Sequence, residues 1–212
     1  MGTPIKGVGG DVWVAASPSL ALGAPESMTD SGDHTIYTAN THKYWDKRTP
    51  VVVQVSPNGS SGWTTVADYS FRYVGGVVTF NTARVVGTSN FVRINTGNYF
   101  NVSQAGDCND WSLDLGGDVT DTTVFQSPGG WKTKTPTTKG GSGKLSTFRF
   151  DDLFTKELGN LLVFVLYADE IANTRWEMYG YVTGVVPKNS ASGVVTQEAS
   201  YIVDGDAFYW AS

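Results

Sequence analysis

The sequence predicts an all-β protein with one short helix. Three observations point to strands. The 212-residue chain carries 25 Gly, 10 Tyr, 10 Phe and 7 Trp, with charged residues at only 17%, below the roughly 25% of ordinary globular domains. Short apolar runs are punctuated by Gly, Pro, Asn and Ser throughout. Near the C-terminus, Val195, Ala199, Tyr201 and Val203 alternate with Thr196, Glu198 and Ser200, the period of a strand with one face buried.

Taken in order, residues 1–16 read as a Gly-rich arm followed by a strand, Asp11 to Ala16. Residues 17–32, with two prolines and several small residues, read as a linker loop. From residue 33 to 106 a β-rich module is expected, with strands at 34–39, 51–55, 69–74, 77–80 and 91–95. Within it, Tyr69, Phe71 and Tyr73 share one face, and Gly75-Gly76 stands where a two-residue hairpin turn belongs.

Residues 107–212 form the second region. Its first strand, 109–117, places Trp111, Leu113 and Leu115 on one face and Asp110, Ser112 and Asp114 on the other. Residues 118–144 show no periodicity and read as a long loop carrying Trp131, Lys132, Lys134, Lys139 and Lys144. A structureless stretch of that length is either functional or hides an element. Trp131 has two readings, a docking group or a cover for its own core.

A strand at 145–150 leads to a short helix at 151–158, capped by Asp151 or Asp152 and ended by Gly159. Leu161 to Tyr167 is apolar on both faces, as in a strand covered twice. A hairpin follows, with strands 177–186 and 194–203 broken by Pro187, Asn189, Ser190, Ser192 and Gly193. Two strands alone are marginal in water, so this hairpin needs a larger sheet, from its own chain or from neighbouring chains. The aromatic end, Phe208 to Trp210, reads as docked.

The chemistry of the chain argues against an enzyme. His34 and His42 fall in one region and read as surface residues, and HExxH, GxSxG and CxxC are absent. Gly140 to Lys144 lacks the first glycine and the final Ser/Thr of a phosphate loop. Asp110 and Asp114 stand about 13 Å apart along a strand, too far for a glycosidase pair. Cys108 is the single cysteine, which leaves no intrachain disulfide and no cysteine metal site. Neither cofactor nor metal is expected. The net charge of −5 disfavours a broad phosphate-binding patch. No secretory signal or membrane span is expected from MGTPIKGVGG or from the short apolar run at 161–168.

The order of parts resembles the tail tube (major tail) proteins of long, flexible-tailed bacteriophages. The resemblance is carried by the start TPIKGVGGDVWVA, the acidic-faced strand, the Thr/Gly/Lys loop with its Trp, and the hairpin YGYVTGVVPKNSASGVVTQEASYIVDG. It covers residues 3–16 and about 107–212, and leaves the 33–106 module outside the family pattern. It implies a β-sandwich subunit with one short helix and an inserted β module, whose strands contribute to an intersubunit β-barrel as it assembles with itself into hexameric rings, stacked into a tube around a DNA channel. It implies partners such as the tape measure and terminator proteins, synthesis in the host cytoplasm and a place in the virion, with no membrane.

Carried onto this chain, the resemblance makes the arm, with Gly9, and the loop, with Trp131, Lys132, Lys134 and Lys139, candidate ring-to-ring contacts. Asp110, Asp114 and Glu198 become candidate lumen-facing groups, whose like charge keeps DNA from sticking; ordinary solvated carboxylates are the plain alternative. Two other functions remain open: a carbohydrate- or receptor-binding sandwich, and another structural virion protein such as a capsid decoration protein.

Overall fold

The structure is a computed structural model that describes residues 11–15, 19–105, 108–121, 134–147, 153–189 and 195–211. Its strands are β1 (Val12–Ala15), β2 (Leu20–Ala21), β3 (Glu26–Asp30), β4 (Ile36–Ala39), β5 (Val52–Ser56), β6 (Thr64–Thr65), β7 (Tyr69–Arg72) and β8 (Val77–Phe80). They continue as β9 (Phe91–Thr96), β10 (Asn98–Tyr99), β11 (Ser103–Gln104), β12 (Cys108–Asp121) and β13 (Lys134–Thr147). After helix α1 (Leu153–Lys156) come β14 (Leu161–Asp169), β15 (Thr174–Asn189) and β16 (Val195–Trp210). The all-β class holds. The chain divides into two units, one of residues 1–13 and 104–212 and the other of residues 14–103.

The second unit is a sheet in the order β6-β5-β9-β3-β4-β8-β7, with β10 and β2 as a separate pair. Its core gathers Trp45, Tyr37, Val53, Val78 and Ile94, and Tyr69, Phe71 and Tyr73 pack against them. Residues 17–32, expected as linker, contain β2 and β3. The strand signal of β3 was hidden because a charged residue, Glu26, occupies one of its buried positions. There Glu26 Oε1 accepts the backbone N–H groups of Thr41 at 2.6 Å and His42 at 2.8 Å, and the His42 ring meets Oε2. The Gly75-Gly76 turn differs from expectation too. Both glycines have positive φ, 87° and 60°, but Arg72 pairs with Val77, so the loop runs over 73–76 rather than two residues.

The first unit is built on a sheet in the order β11-β1-β14-β15-β16-β13-β12. Residues 161–166 of β14 are all buried, as the doubly apolar run required. Trp111 on the edge strand β12 donates its Nε1–H to the Tyr167 carbonyl of β14 at 3.0 Å, so the sheet curls until its edge reaches a strand four places inward. Inside the curl lie Leu145, Ala199, Tyr201, Val182, Met178 and Phe164, all buried.

The expected loop at 118–144 is corrected by the structure: 118–121 and 134–144 are strand, the continuation of β12 and β13. Gly141 and Gly143 erased the alternation there. A Cβ on Gly141 would sit 2.7 Å from Leu115, and one on Gly143 would sit 2.3 Å from the Tyr201 hydroxyl. These two inward positions are filled by neighbours' side chains, so residues 141–143 show no apolar residue of their own. The helix is shorter than expected, Leu153–Lys156, with Phe154 buried; Asp151 and Asp152 lie outside the described residues. Gly159 ends it at φ 79°, and its N–H bonds the Val182 carbonyl at 2.9 Å. The aromatic tail is strand as well, with Trp210 opposite Arg175 and Tyr209 opposite Trp176.

Candidate assembly surface

Four strands, β12, β13, β16 and the C-terminal half of β15, form a continuous antiparallel block. Residues directly opposite one another in a ladder share a face. One row runs Asp110, Ser146, Glu198, Val186; the next runs Ser112, Lys144, Ser200, Gly184; a third runs Asp114, Ser142, Ile202, Tyr181. These rows lie opposite the inward rows of Trp111, Leu145, Ala199 and Val185 and of Leu113, Gly143, Tyr201 and Val182. The sequence alternation of β16 is met at Ala199 and Tyr201, which are buried, but Val195 is exposed.

Asp110, Asp114 and Glu198 therefore share the outward face. Asp110 and Asp114 are exposed. Glu198 is engaged: Lys144 Nζ donates to Oε1 at 2.8 Å and Lys188 Nζ to Oε2 at 2.6 Å. Those two bonds, Lys144 first and then Lys188, hold its carboxyl down at about 2. These three rows, with Lys188 beside them, carry three acids and two lysines, a net −1 per copy, with Val186 and Ile202 as exposed apolar members. Sequence reasoning missed Lys188 and left Lys144 in a loop, because only the strand register brings both to Glu198.

Among the described residues the block has two open edges. β12 ends the strand order. On the other side, β14 pairs with β15 only over 174–181, and a single bridge joins Leu158 to Val182. Among the described residues, 183–189 of β15 have β16 as their one ladder partner. Unpaired edges are templates for another chain unless they are covered.

The hairpin of β12 and β13 also reaches beyond the block. β13 meets β16 over 142–147, whereas 134–141 pair with β12 alone. This two-stranded arm holds Lys139, exposed and opposite Gly117, and Lys134 opposite Asp121. Gly9, Trp131 and Lys132 lie outside the described residues. A cleft of about 420 Å³ at the root of the arm is lined by Asp114, Gly116, Lys139, Gly141 and Ser142, among others.

Other candidate chemistry is already occupied. His34 and Asp30, like His42 and Glu26, are paired with each other. The Glu26 carboxylate is spent on backbone and ring hydrogen bonds beside a cleft of about 270 Å³. Burial pushes the Cys108 thiol up to about 11. One face of Trp63 is taken by the Arg93 guanidinium, 4.0 Å from the ring centre. Among the described residues, no three His, Cys, Asp or Glu side chains gather as metal ligands, and no helix is long and apolar enough to cross a membrane.

No protein-family model matches the chain, and neither does any curated protein. Solved structures similar to it include two chains of gene transfer agent particles. A chain of the virion of a native gene transfer agent particle has a TM-score of 0.42 at 15% identity, over 52% of this chain and 89% of that one. A chain from the tail of an empty gene transfer agent particle with C6 symmetry has a TM-score of 0.41 at 12% identity, over 76% of this chain and 96% of that one.

Proposed function

We propose that the protein is a structural tail tube subunit, which assembles with itself into rings that stack into a tube and conduct DNA passively in a virion. The observation that carries the reading is the pair of open edges on one four-stranded block. Along β12, β13, β16 and β15 the strand direction alternates at every step. When β12 of one copy joins β15 of the next, the new pair is antiparallel as well. Head-to-tail repetition then makes a uniform antiparallel barrel with no edge left.

Six copies give about 24 strands and, at the ~4.8 Å spacing and a ~35° tilt within the range of barrels, a backbone diameter of about 45 Å. That is wider than a DNA duplex. The outward face of Asp110, Asp114, Lys144, Lys188 and Glu198 lines the channel in this arrangement, and its small negative excess disfavours phosphate binding. The arm at 116–121 and 134–140, marginal as a bare two-stranded ribbon, is the element suited to contact the next ring, along with the residues 122–133 between its strands.

Negative-stain electron microscopy across a concentration series tests the reading. Closed rings and stacked tubes are expected, and deletion of residues 122–133 leaves rings that no longer stack. Single copies at every concentration overturn it.

A further inference from the structure

On the channel face the charges alternate from strand to strand. Asp110 and Asp114 stand on β12, Lys144 on β13, Glu198 on β16 and Lys188 on β15. Within one copy each step is diagonal: Lys144 lies opposite Ser112, between the two aspartates, and Lys188 lies opposite Thr196, one step from Glu198. Long side chains reach across such diagonals. The series begins on an acid and ends on a base, and both terminal members sit on the open edges. Lys188 is exposed, and the exposed Asp110 and Asp114 have no ion pair among the described residues.

The stagger between copies follows from barrel geometry. A barrel tilted by ~35° shifts register by about one residue per strand, because the ~3.3 Å rise per residue and the ~4.8 Å strand spacing are in that ratio. A four-stranded copy therefore shifts by about four residues. Without stagger, the row of Ser112, Lys144, Ser200 and Gly184 would return to Ser112 of the next copy. A shift of four toward the C-terminal end of β12 brings Gly184 opposite Gly116 and Lys188 opposite Ser112, and lets 183–189 pair with 111–117. The opposite shift leaves almost no ladder, since β14 already occupies β15 up to Tyr181.

Resting on the ring reading above, we infer that a second copy docks its β12 on residues 183–189 in this register, so that Lys188 of one copy inserts between Asp110 and Asp114 of the next. Ser112 then has a lysine on either side, Lys144 from its own chain and Lys188 from the neighbour. The alternating charges close into an unbroken girdle around the channel. The even stagger keeps polar residues on one face and apolar residues on the other across the seam.

Cysteine pairing reads the register directly. In a Cys108→Ser background, Gly116→Cys with Gly184→Cys places thiols where an added Cβ meets nothing within 4 Å. Mild oxidation is expected to give a ladder of cross-linked oligomers that needs both cysteines, while the unstaggered pair, Ser112→Cys with Gly184→Cys, stays monomeric on a denaturing gel. Separately, Lys188→Met raises the concentration for half-assembly by about 2- to 5-fold per interface, and Lys188→Arg leaves it near wild type. Rings that cross-link through 112 and 184, or through neither pair, overturn the seam while leaving ring assembly intact. Rings equally stable with Lys188→Met overturn the lysine's part in it. Wild-type protein that never associates overturns both this inference and the subunit reading.

Discussion

Replacing Gly143 with alanine tests how the curled sheet is held. Tyr201 lies across β13 at this glycine, donates its hydroxyl to the Ser112 carbonyl at 2.8 Å, and stacks on Phe164 with ring centres 4.7 Å apart. It is 1% exposed, and burial pushes its phenol well above the usual range. A Cβ at 143 would stand 2.0 Å from the Ser112 carbonyl oxygen of β12, 2.3 Å from the hydroxyl and 2.4 Å from the ring carbon that bears it. The ring and the β12 backbone must both move. Overpacking costs about 1–3 kcal/mol, and the hydrogen bond about 1 kcal/mol more. Alanine in place of glycine returns about 0.5–1 kcal/mol of backbone entropy, which leaves a net loss of about 1–3 kcal/mol.

Native-state amide exchange is the suitable assay, since it reads β13 and β16 without mixing in the unfolding of residues 14–103. Protection in those strands should fall by roughly 5- to 150-fold. Gly140→Ala and Gly184→Ala are the controls, because an added Cβ meets nothing within 4 Å at either position. In a Tyr201→Leu background the Gly143→Ala penalty should shrink, as expected of coupled neighbours. A Gly143→Ala protein as protected as the Gly140→Ala control would refute the reasoning.

Two further outcomes follow from the charged groups. Glu198 has its folded pKa depressed from 4.5 to about 2, so its two ion pairs are fully present above pH 4.5 and are lost as pH falls through about 2; carboxyl titration by NMR should find that midpoint, and Lys144→Met with Lys188→Met should return it toward 4.5. Asp46 is buried, which by itself raises its pKa, yet hydrogen bonds from Arg48 and Ser19 bring it to about 2. Asp46→Asn should therefore destabilise residues 14–103 by about 1–3 kcal/mol in urea denaturation, and a wild-type midpoint would show that these bonds contribute nothing net.

Where side chains alternate, the fold was legible in the sequence. Ala199 and Tyr201 turn inward and Glu198 outward as the β16 pattern demanded, and 161–166 is buried on both faces. Where a neighbour's side chain stands in for the strand's own, the signal vanished. Gly141 and Gly143 made an ordered strand read as loop, because Leu115, Val203 and Tyr201 fill their places. Glu26 disguised β3 in the same way, as a charge whose partners, Thr41 and His42, lie 15 and 16 residues along the chain.

For the candidate surface, the acids were legible one by one as polar-face residues of strands. Their lysine partners were not, since Lys144 and Lys188 stand 54 and 10 residues from Glu198 and meet it only through register. The open edges were equally invisible, because they depend on where β14 stops pairing with β15, near Tyr181.

The central claim is that these two edges are covered by another copy, and amide exchange on single copies against the assembled protein measures it most directly. Assembly should slow exchange along the outer edge of β12 and across residues 183–189 of β15, excepting Pro187, while the β14 amides, already paired within the copy, change little. Unchanged exchange at both edges in an assembled particle would contradict the account.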